Sequence, residues 1–263
     1  MKKIIKYLFL LTGGSFILAS CNDFLDREPL DSVTPDNFFF TENDLAAYAV
    51  KHYNFTTHEG FNAGIWKNDN ATDNQAATDY DKKWIPGQWK VPEAYDNPAS
   101  NDPWYFSAIR EANYFLETVV PRFEKGEIEG SETNIKHYIG EMYFLRAKNY
   151  LSKLETFGDF PIIKNTLPDE SASLIQASKR EPRHKVARFI LEDLDLAIGL
   201  LTNNISGGKN RITKNAALLL KSRAALFEAS WLTYHKGTAL VPGGPGWPGK
   251  AEDIADFNID TEI

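Results

Sequence analysis

The chain reads as an all-α protein, an α-solenoid of tetratricopeptide-like helical repeats with long aromatic-rich loops. Three observations carry that reading. Apolar residues recur at three- and four-residue steps over several long segments, the signature of amphipathic helices. Helix-start and helix-stop residues bracket those segments at matching positions. An Arg-Ala pair inside an aromatic-flanked helix occurs at Arg146-Ala147 and again at Arg223-Ala224, 77 residues later, close to two helix-pair repeats of about 34 residues with a short insertion.

The elements follow in order. Thr41-Glu-Asn-Asp44 offers an N-cap with acidic residues in the first turn, and Leu45, Tyr48, Ala49 and His52 then share a face. From Thr56 to Asn101 the period dissolves into Asn, Asp, Thr, Gly and Pro interleaved with Trp66, Tyr80, Trp84, Trp89 and Tyr95. So long a loop in a compact protein points to function, and its aromatic density disfavours disorder. Asp102-Pro103 is expected to start a helix with Phe106, Ile109, Asn113, Leu116 and Val120 on one face and Pro121 as its end. The strongest period runs from Ser131 through Ile135, Tyr138, Ile139, Met142, Leu145, Tyr150, Leu151 and Leu154 to a stop at Gly158.

Pro182 opens another helix, apolar at Val186, Phe189, Ile190, Leu194, Ala197, Ile198 and Leu201. Thr213 caps one that combines Ala216, Ala217, Ala224, Ala225 and Ala229 with Leu219, Leu220, Leu226, Phe227 and Trp231, expected to be a packing surface. Trp104 and Trp231, placed on helices, and Trp66 are expected in the core. Val241-Pro-Gly-Gly-Pro-Gly-Trp-Pro-Gly249 cannot hold a helix and reads as a loop. Asp253 to Ile263 reads as the opening of a further helix, so the repeats are expected to continue beyond the last residue. Arg146 and Arg223 lie on helices that otherwise read as packing surface, and each is expected to pair with a carboxylate or a carbonyl.

Composition narrows the function. The 263 residues include 36 acidic and 29 basic side chains, a net charge of −7. Removing the segment with Lys2, Lys3 and Lys6 takes this to −10, a sign that argues against nucleic acid as a partner. One cysteine, Cys21, excludes an intramolecular disulfide framework and a cysteine-rich zinc site. The run from Asp69 to Asp81 fails the EF-hand pattern, with Asp73 where glycine is required. No metal and no cofactor is expected. The five histidines form no H-e-x-x-H pair, and no Gly-rich phosphate loop precedes a helix. The chain therefore does not read as an enzyme.

Lysines at the start, a mostly apolar stretch from Tyr7 to Leu18 and small residues at Ala19-Ser20 make residues 1–20 an export signal. Leu18-Ala19-Ser20-Cys21 resembles the lipobox of bacterial lipoproteins, which implies lipidation of Cys21 and a lipidated tether over residues 21–40. Several acyl chains at about 0.8 kcal/mol per buried CH₂ hold a protein on a bilayer durably.

Further blocks are Cys21-Asn-Asp-Phe-Leu-Asp-Arg-Glu-Pro-Leu30, Phe39 to Leu45, Glu141-Met-Tyr-Phe-Leu-Arg-Ala-Lys-Asn-Tyr150 with Phe157-Gly-Asp-Phe-Pro161, and Arg211-Ile-Thr-Lys214 with Arg223-Ala-Ala-Leu-Phe227. Together they resemble the SusD/RagB family of outer-membrane nutrient-binding lipoproteins. The resemblance implies a SusD-like helical-repeat domain over residues 41–263, truncated at its C-terminus because members run to about twice this length. It also implies a lipid-anchored protein of the outer membrane facing the cell exterior, which captures oligosaccharides or related nutrients and passes them to a SusC-type TonB-dependent transporter.

The loop from Trp66 to Trp89 is the candidate ligand site. Tyr80, Trp84 and Trp89 offer faces for the C–H surface of a sugar ring, and Asp69, Asn70, Asp73 and Asn74 offer polar groups for its hydroxyls. The same aromatics could instead pin the loop to the repeats. Two other functions stay open at this point: a surface-anchored glycan hydrolase and a helical-repeat scaffold lipoprotein of the cell envelope.

Overall fold

The hydroxyl of Thr41 accepts a hydrogen bond from the Asp44 amide at 3.3 Å, and the Asp44 carboxylate accepts from the Thr41 amide at 2.9 Å. This reciprocal cap starts α1, Glu42–Lys51, in a computed structural model that describes residues 38–55, 104–205 and 210–263. Contacts divide the chain after Phe38, and all the elements below belong to the unit from Phe39 to Ile263. The expected face of α1 is present, with Leu45, Tyr48 and Ala49 buried.

The other helices are α2 (Ser107–Glu124), α3 (Glu132–Phe157), α4 (Ser171–Ala177), α5 (Arg183–Leu200), α6 (Lys214–His235) and α7 (Ile259–Glu262), with a 3₁₀ turn at Ala251–Ile254. Among the described residues there are two isolated β-bridges and no strand. The fold is all-α and tetratricopeptide-like: α3 packs against α1, α2 and α5, and α5 packs against α6.

Helix α3 is the axle. At 26 residues it is about 39 Å long, and it is buried around most of its circumference because three helices lean on it. Ser131 is its N-cap residue but makes no side-chain cap. The Glu42 carboxylate does that work, accepting from the Ser131 amide at 2.7 Å and from Asn134 at 3.2 Å, so α1 caps α3 across the fold. Glycine is required at position 130, where φ is +134° and a Cβ would lie 2.7 Å from that of Glu42. Phe39 holds a left-handed φ of 71° without that freedom. Complete burial against Tyr48 and Phe115, at ring separations of 5.0 and 5.3 Å, holds it there.

Four expectations need correction. Helix α2 starts after Phe106, so Trp104 lies in a turn rather than on a helix. The same helix does not stop at Pro121 but continues to Glu124. Proline forfeits one bond, to the carbonyl of the exposed Glu117, while its own carbonyl still accepts from Lys125 at 3.2 Å. Helix α6 buries a single stripe, Ala217, Ala224, Glu228 and Leu232, rather than the whole apolar set. Leu219 and Leu226 remain 73% and 68% exposed because α5 covers one side only. Arg223 is also exposed and has no bonding partner among the described residues, unlike Arg146. The short α4, with no buried residue, had no apolar period to announce it.

Beyond α6, the expected loop spans Val241–Gly249, and the segment after it is clasped to α5, to the turn before α5 and to the end of α6. Lys179 meets Asp253 at 2.8 Å, Lys236 meets Asp260 at 2.6 Å, and Arg188 bonds both Asp256 and Glu262. Beneath the clasp His184 is fully buried, 4.8 Å from the Phe257 ring, with neither ring nitrogen hydrogen-bonded among the described residues. Burial above all, with the charge of Arg188, holds its pKa below the ordinary imidazole value, against the pull of Asp256 and Glu262.

The unfolded chain therefore takes up this proton first, as pH falls through about 6.5. Stability should fall with decreasing pH in that window, by at most about 1.4 kcal/mol per pH unit for one proton. Melting temperatures between pH 7.5 and 5.5 should decline less steeply for His184→Leu than for the parent; equal slopes would rule out this histidine as the cause.

Candidate functional site

The polar residues of α3 sit where its apolar period demands hydrophobes. Glu141 is fully buried, and four donors converge on it. They are the Tyr53 hydroxyl at 2.7 Å, the His137 Nε2 at 3.1 Å, the Arg211 Nε at 2.9 Å and the Arg211 Nη2. Because His137 Nδ1 accepts from the Thr202 amide at 3.2 Å, Nε2 carries the ring proton and donates to Glu141. Burial first, then the Glu141 charge, raises the Tyr53 hydroxyl above its ordinary value. Arg211 also donates to the Ala46 carbonyl at 3.2 Å, which ties α1 to the entry of α6. Both carboxylate oxygens of Glu141 are engaged inside a fully buried cluster, so the cluster serves structure.

Arg146 makes a two-pronged bridge to Asp193, both contacts at 2.7 Å, and donates to Asn113 at 2.9 Å and the Lys164 carbonyl at 3.3 Å. Arg183 grips Glu228 in the same way, at 2.7 and 3.0 Å, with its guanidinium 4.2 Å from the Trp231 ring. The two pairs lie across the α3–α5 and α5–α6 contacts. Tyr150 receives the Ile163 amide at 2.8 Å and donates to the Ile163 carbonyl at 3.2 Å. Burial pushes its pKa up to about 12. Asn113 holds the carbonyls of Ile163 and Asn165, so the turn after Gly158 is fixed to the helical frame.

These residues had a signal in the sequence. A charged side chain at a buried register position, such as Asp193 between Ile190 and Leu194 or Glu141 beside Met142, calls for a partner. The partner's identity is set by which helices meet.

That fixed turn bounds two depressions. A cavity of about 360 Å³ is lined by Trp104, Phe106, Ile109, Pro161, Ile163 and Leu174 among others. Fully buried Phe160 stacks on Phe106 at 5.1 Å and Trp104 at 5.6 Å behind it, an apolar setting. A groove of about 290 Å³ lies between the C-terminus of α3 and the loop at Ala239–Pro248, where Trp231 and Trp247 meet Arg180, Arg183, Asp159 and Glu155. Aromatic faces beside hydrogen-bonding groups of both kinds suit a polyhydroxylated ring.

The lipidation position Cys21 and the ligand candidates Asp69, Asn70, Asp73, Asn74, Tyr80, Trp84 and Trp89, like Trp66, lie outside the described residues. Among the described residues, no group of three or more His, Cys, Asp or Glu side chains is placed to hold a metal ion, and no helix is long and apolar enough to cross a membrane.

Comparison with known proteins is decisive at the level of family. Residues 23–226 match the SusD-like family model described as "Starch-binding associating with outer membrane". The chain belongs to the SusD-like family. SusD-like protein P2 of Formosa agariphila is 26% identical over 186 residues, covering 68% of this chain and 35% of that protein. SusD-like protein P25 of the same organism is 23% identical over 243 residues, covering 88% and 44%. The chain thus spans less than half the length of these curated relatives. A crystal structure of a SusD-like protein from Bacteroides fragilis superposes with a TM-score of 0.54 at 25% identity, covering 78% of this chain and 38% of that one.

Breaking one buried pair isolates a charge. Arg146→Met should cost about 3–5 kcal/mol in urea unfolding, because Asp193 is left buried and alone. The double change Arg146→Met with Asp193→Leu should recover most of that loss, and a double variant as unstable as the single one would contradict this account.

Proposed function

We propose that this chain forms part of a cell-surface glycan-binding lipoprotein that captures oligosaccharides and passes them to a SusC-type TonB-dependent transporter in the outer membrane. The observation that carries the reading is the SusD-like family match over residues 23–226. The sequence before it supports an anchor: an export signal ending at Leu18-Ala19-Ser20-Cys21, with Cys21 carrying the lipid and residues 21–40 as its tether. In this reading the protein binds and does no chemistry on its ligand, and the anchor faces the cell exterior.

Ligand contact is assigned to the aromatic segment after α1. Trp84, Trp89 and Tyr80 stack on sugar rings, and Asp69, Asn70, Asp73 and Asn74 bond the hydroxyls.

Two experiments test the reading. Cys21→Ala should move the protein from the membrane to the soluble fraction, and a variant that stays membrane-bound would remove lipidation from the account. Trp84→Ala and Trp89→Ala should each weaken binding of neutral oligosaccharides about tenfold, roughly 1.4 kcal/mol, with the melting temperature nearly unchanged. Unchanged affinity in both would refute the site, and release of reducing sugar from a bound polysaccharide would replace binding with hydrolysis.

A further inference from the structure

We propose that the groove between the C-terminus of α3 and the loop Val241–Gly249 is a second saccharide site, selective for neutral sugar rings; it rests on the reading of the protein as a glycan binder. Two groups in the groove have capacity that the described residues leave unused. Arg183 is only 4% exposed, and its Nε and Nη2 are committed to Glu228. Its Nη1 bonds none of the described residues and stands at Gly158, where a Cβ would come within 3.2 Å of it. Both residues line the groove. A donor carried by a buried, immobilised side chain at a wall without a side chain is a preorganised contact for a ligand oxygen.

The second group is Trp247. Its ring is half-buried in the groove, packed against Gly249, where any Cβ would strike it at 2.1 Å. Among the described residues, no ring stacks on it and none accepts from its indole N–H. Trp231, by contrast, is spent on the protein: it donates to the Leu240 carbonyl at 3.1 Å, and Arg183 and His235 lie 4.2 and 4.4 Å from its ring. Trp231 therefore positions the loop, and Trp247 offers the face.

The remaining polar groups choose the ligand. Asp159 accepts the Arg183 amide through one carboxylate oxygen at 2.9 Å, and its other oxygen receives no described donor. Glu155 is exposed at the rim, and the exposed Arg180 lies with its guanidinium 4.8 Å from the Trp104 ring. Arg180 and Arg183 share the lining with Asp159 and Glu155, and Glu228 behind it is bridged to Arg183. No net positive charge is left over to hold a phosphate or a uronate. Donors and acceptors together with one open indole face fit the hydroxyls and the C–H face of a neutral pyranose.

Fluorine NMR of the full chain labelled with 5-fluorotryptophan tests this, with the Trp247 signal assigned by W247F. Maltoheptaose or laminarihexaose should shift the Trp247 signal, both in the parent and in W84A/W89A, and trigalacturonate at equal concentration should not. In the W84A/W89A background, Trp247→Ala should lower the remaining affinity at least tenfold. Neutral glycan binding that leaves the Trp247 signal unmoved overturns the groove and leaves the glycan-binding reading standing. A shift with trigalacturonate alone overturns the neutral selectivity. If none of the three sugars moves any of the six tryptophan signals, the glycan-binding reading fails and the groove with it.

Discussion

Three guanidinium–carboxylate pairs, Arg211–Glu141, Arg146–Asp193 and Arg183–Glu228, bind this fold together from its first helix to its last long one. Each side chain is at most 10% exposed. Removing two charges from water costs several kcal/mol each, and their attraction roughly repays it only when geometry is good and the remaining donors are used. Two of the three use theirs, since Arg146 also serves Asn113 and the Lys164 carbonyl and Arg211 also serves Ala46, while Arg183 Nη1 bonds none of the described residues. The net contribution to stability is small, while the penalty for misalignment is large. The pairs therefore act on register. A helix slipped by one turn would leave a buried charge alone, whereas apolar side chains alone would tolerate the slip.

The consequences reach the surface that bears the cavity and the groove through the turn after Gly158. Arg146 and Asn113 hold the carbonyls of Ile163 to Asn165, Tyr150 closes both backbone groups of Ile163, and Arg183 ties to Asp159 through its amide. The same residues that align α3, α5 and α6 thus fix the floor of the apolar cavity and one wall of the groove. The block from Glu141 to Pro161 lies inside the matched residues 23–226. Its polar positions Glu141, Arg146, Tyr150 and Asp159 are bonding partners inside the frame.

Much of the frame was legible in order along the chain. The caps at Thr41 and Thr213, the stop at Gly158 and the opening at Pro182 mark helix ends because each satisfies or forbids backbone hydrogen bonds locally. Pro121 misled because a proline near a helix end forfeits one bond, and packing of Phe115, Leu116 and Val119 outweighs it. The apolar set on α6 misled for the opposite reason, since periodicity states which residues could be buried but not which neighbour arrives to bury them. Asn113 was placed on its face, but its role as a bridge between Arg146 and the Ile163 carbonyl was not legible.

By itself the sequence determined the all-α class, the helix boundaries set by local caps, and the acidic balance of the chain. The tertiary structure alone decided which charges meet, since Arg146 and Asp193 are 47 residues apart and Arg211 and Glu141 are 70. It alone set Trp247 beside Arg183. Local signals arise from the backbone's own hydrogen bonds within a turn or two, whereas pairing and pocket walls depend on how whole helices cross, and no short stretch of chain encodes that crossing.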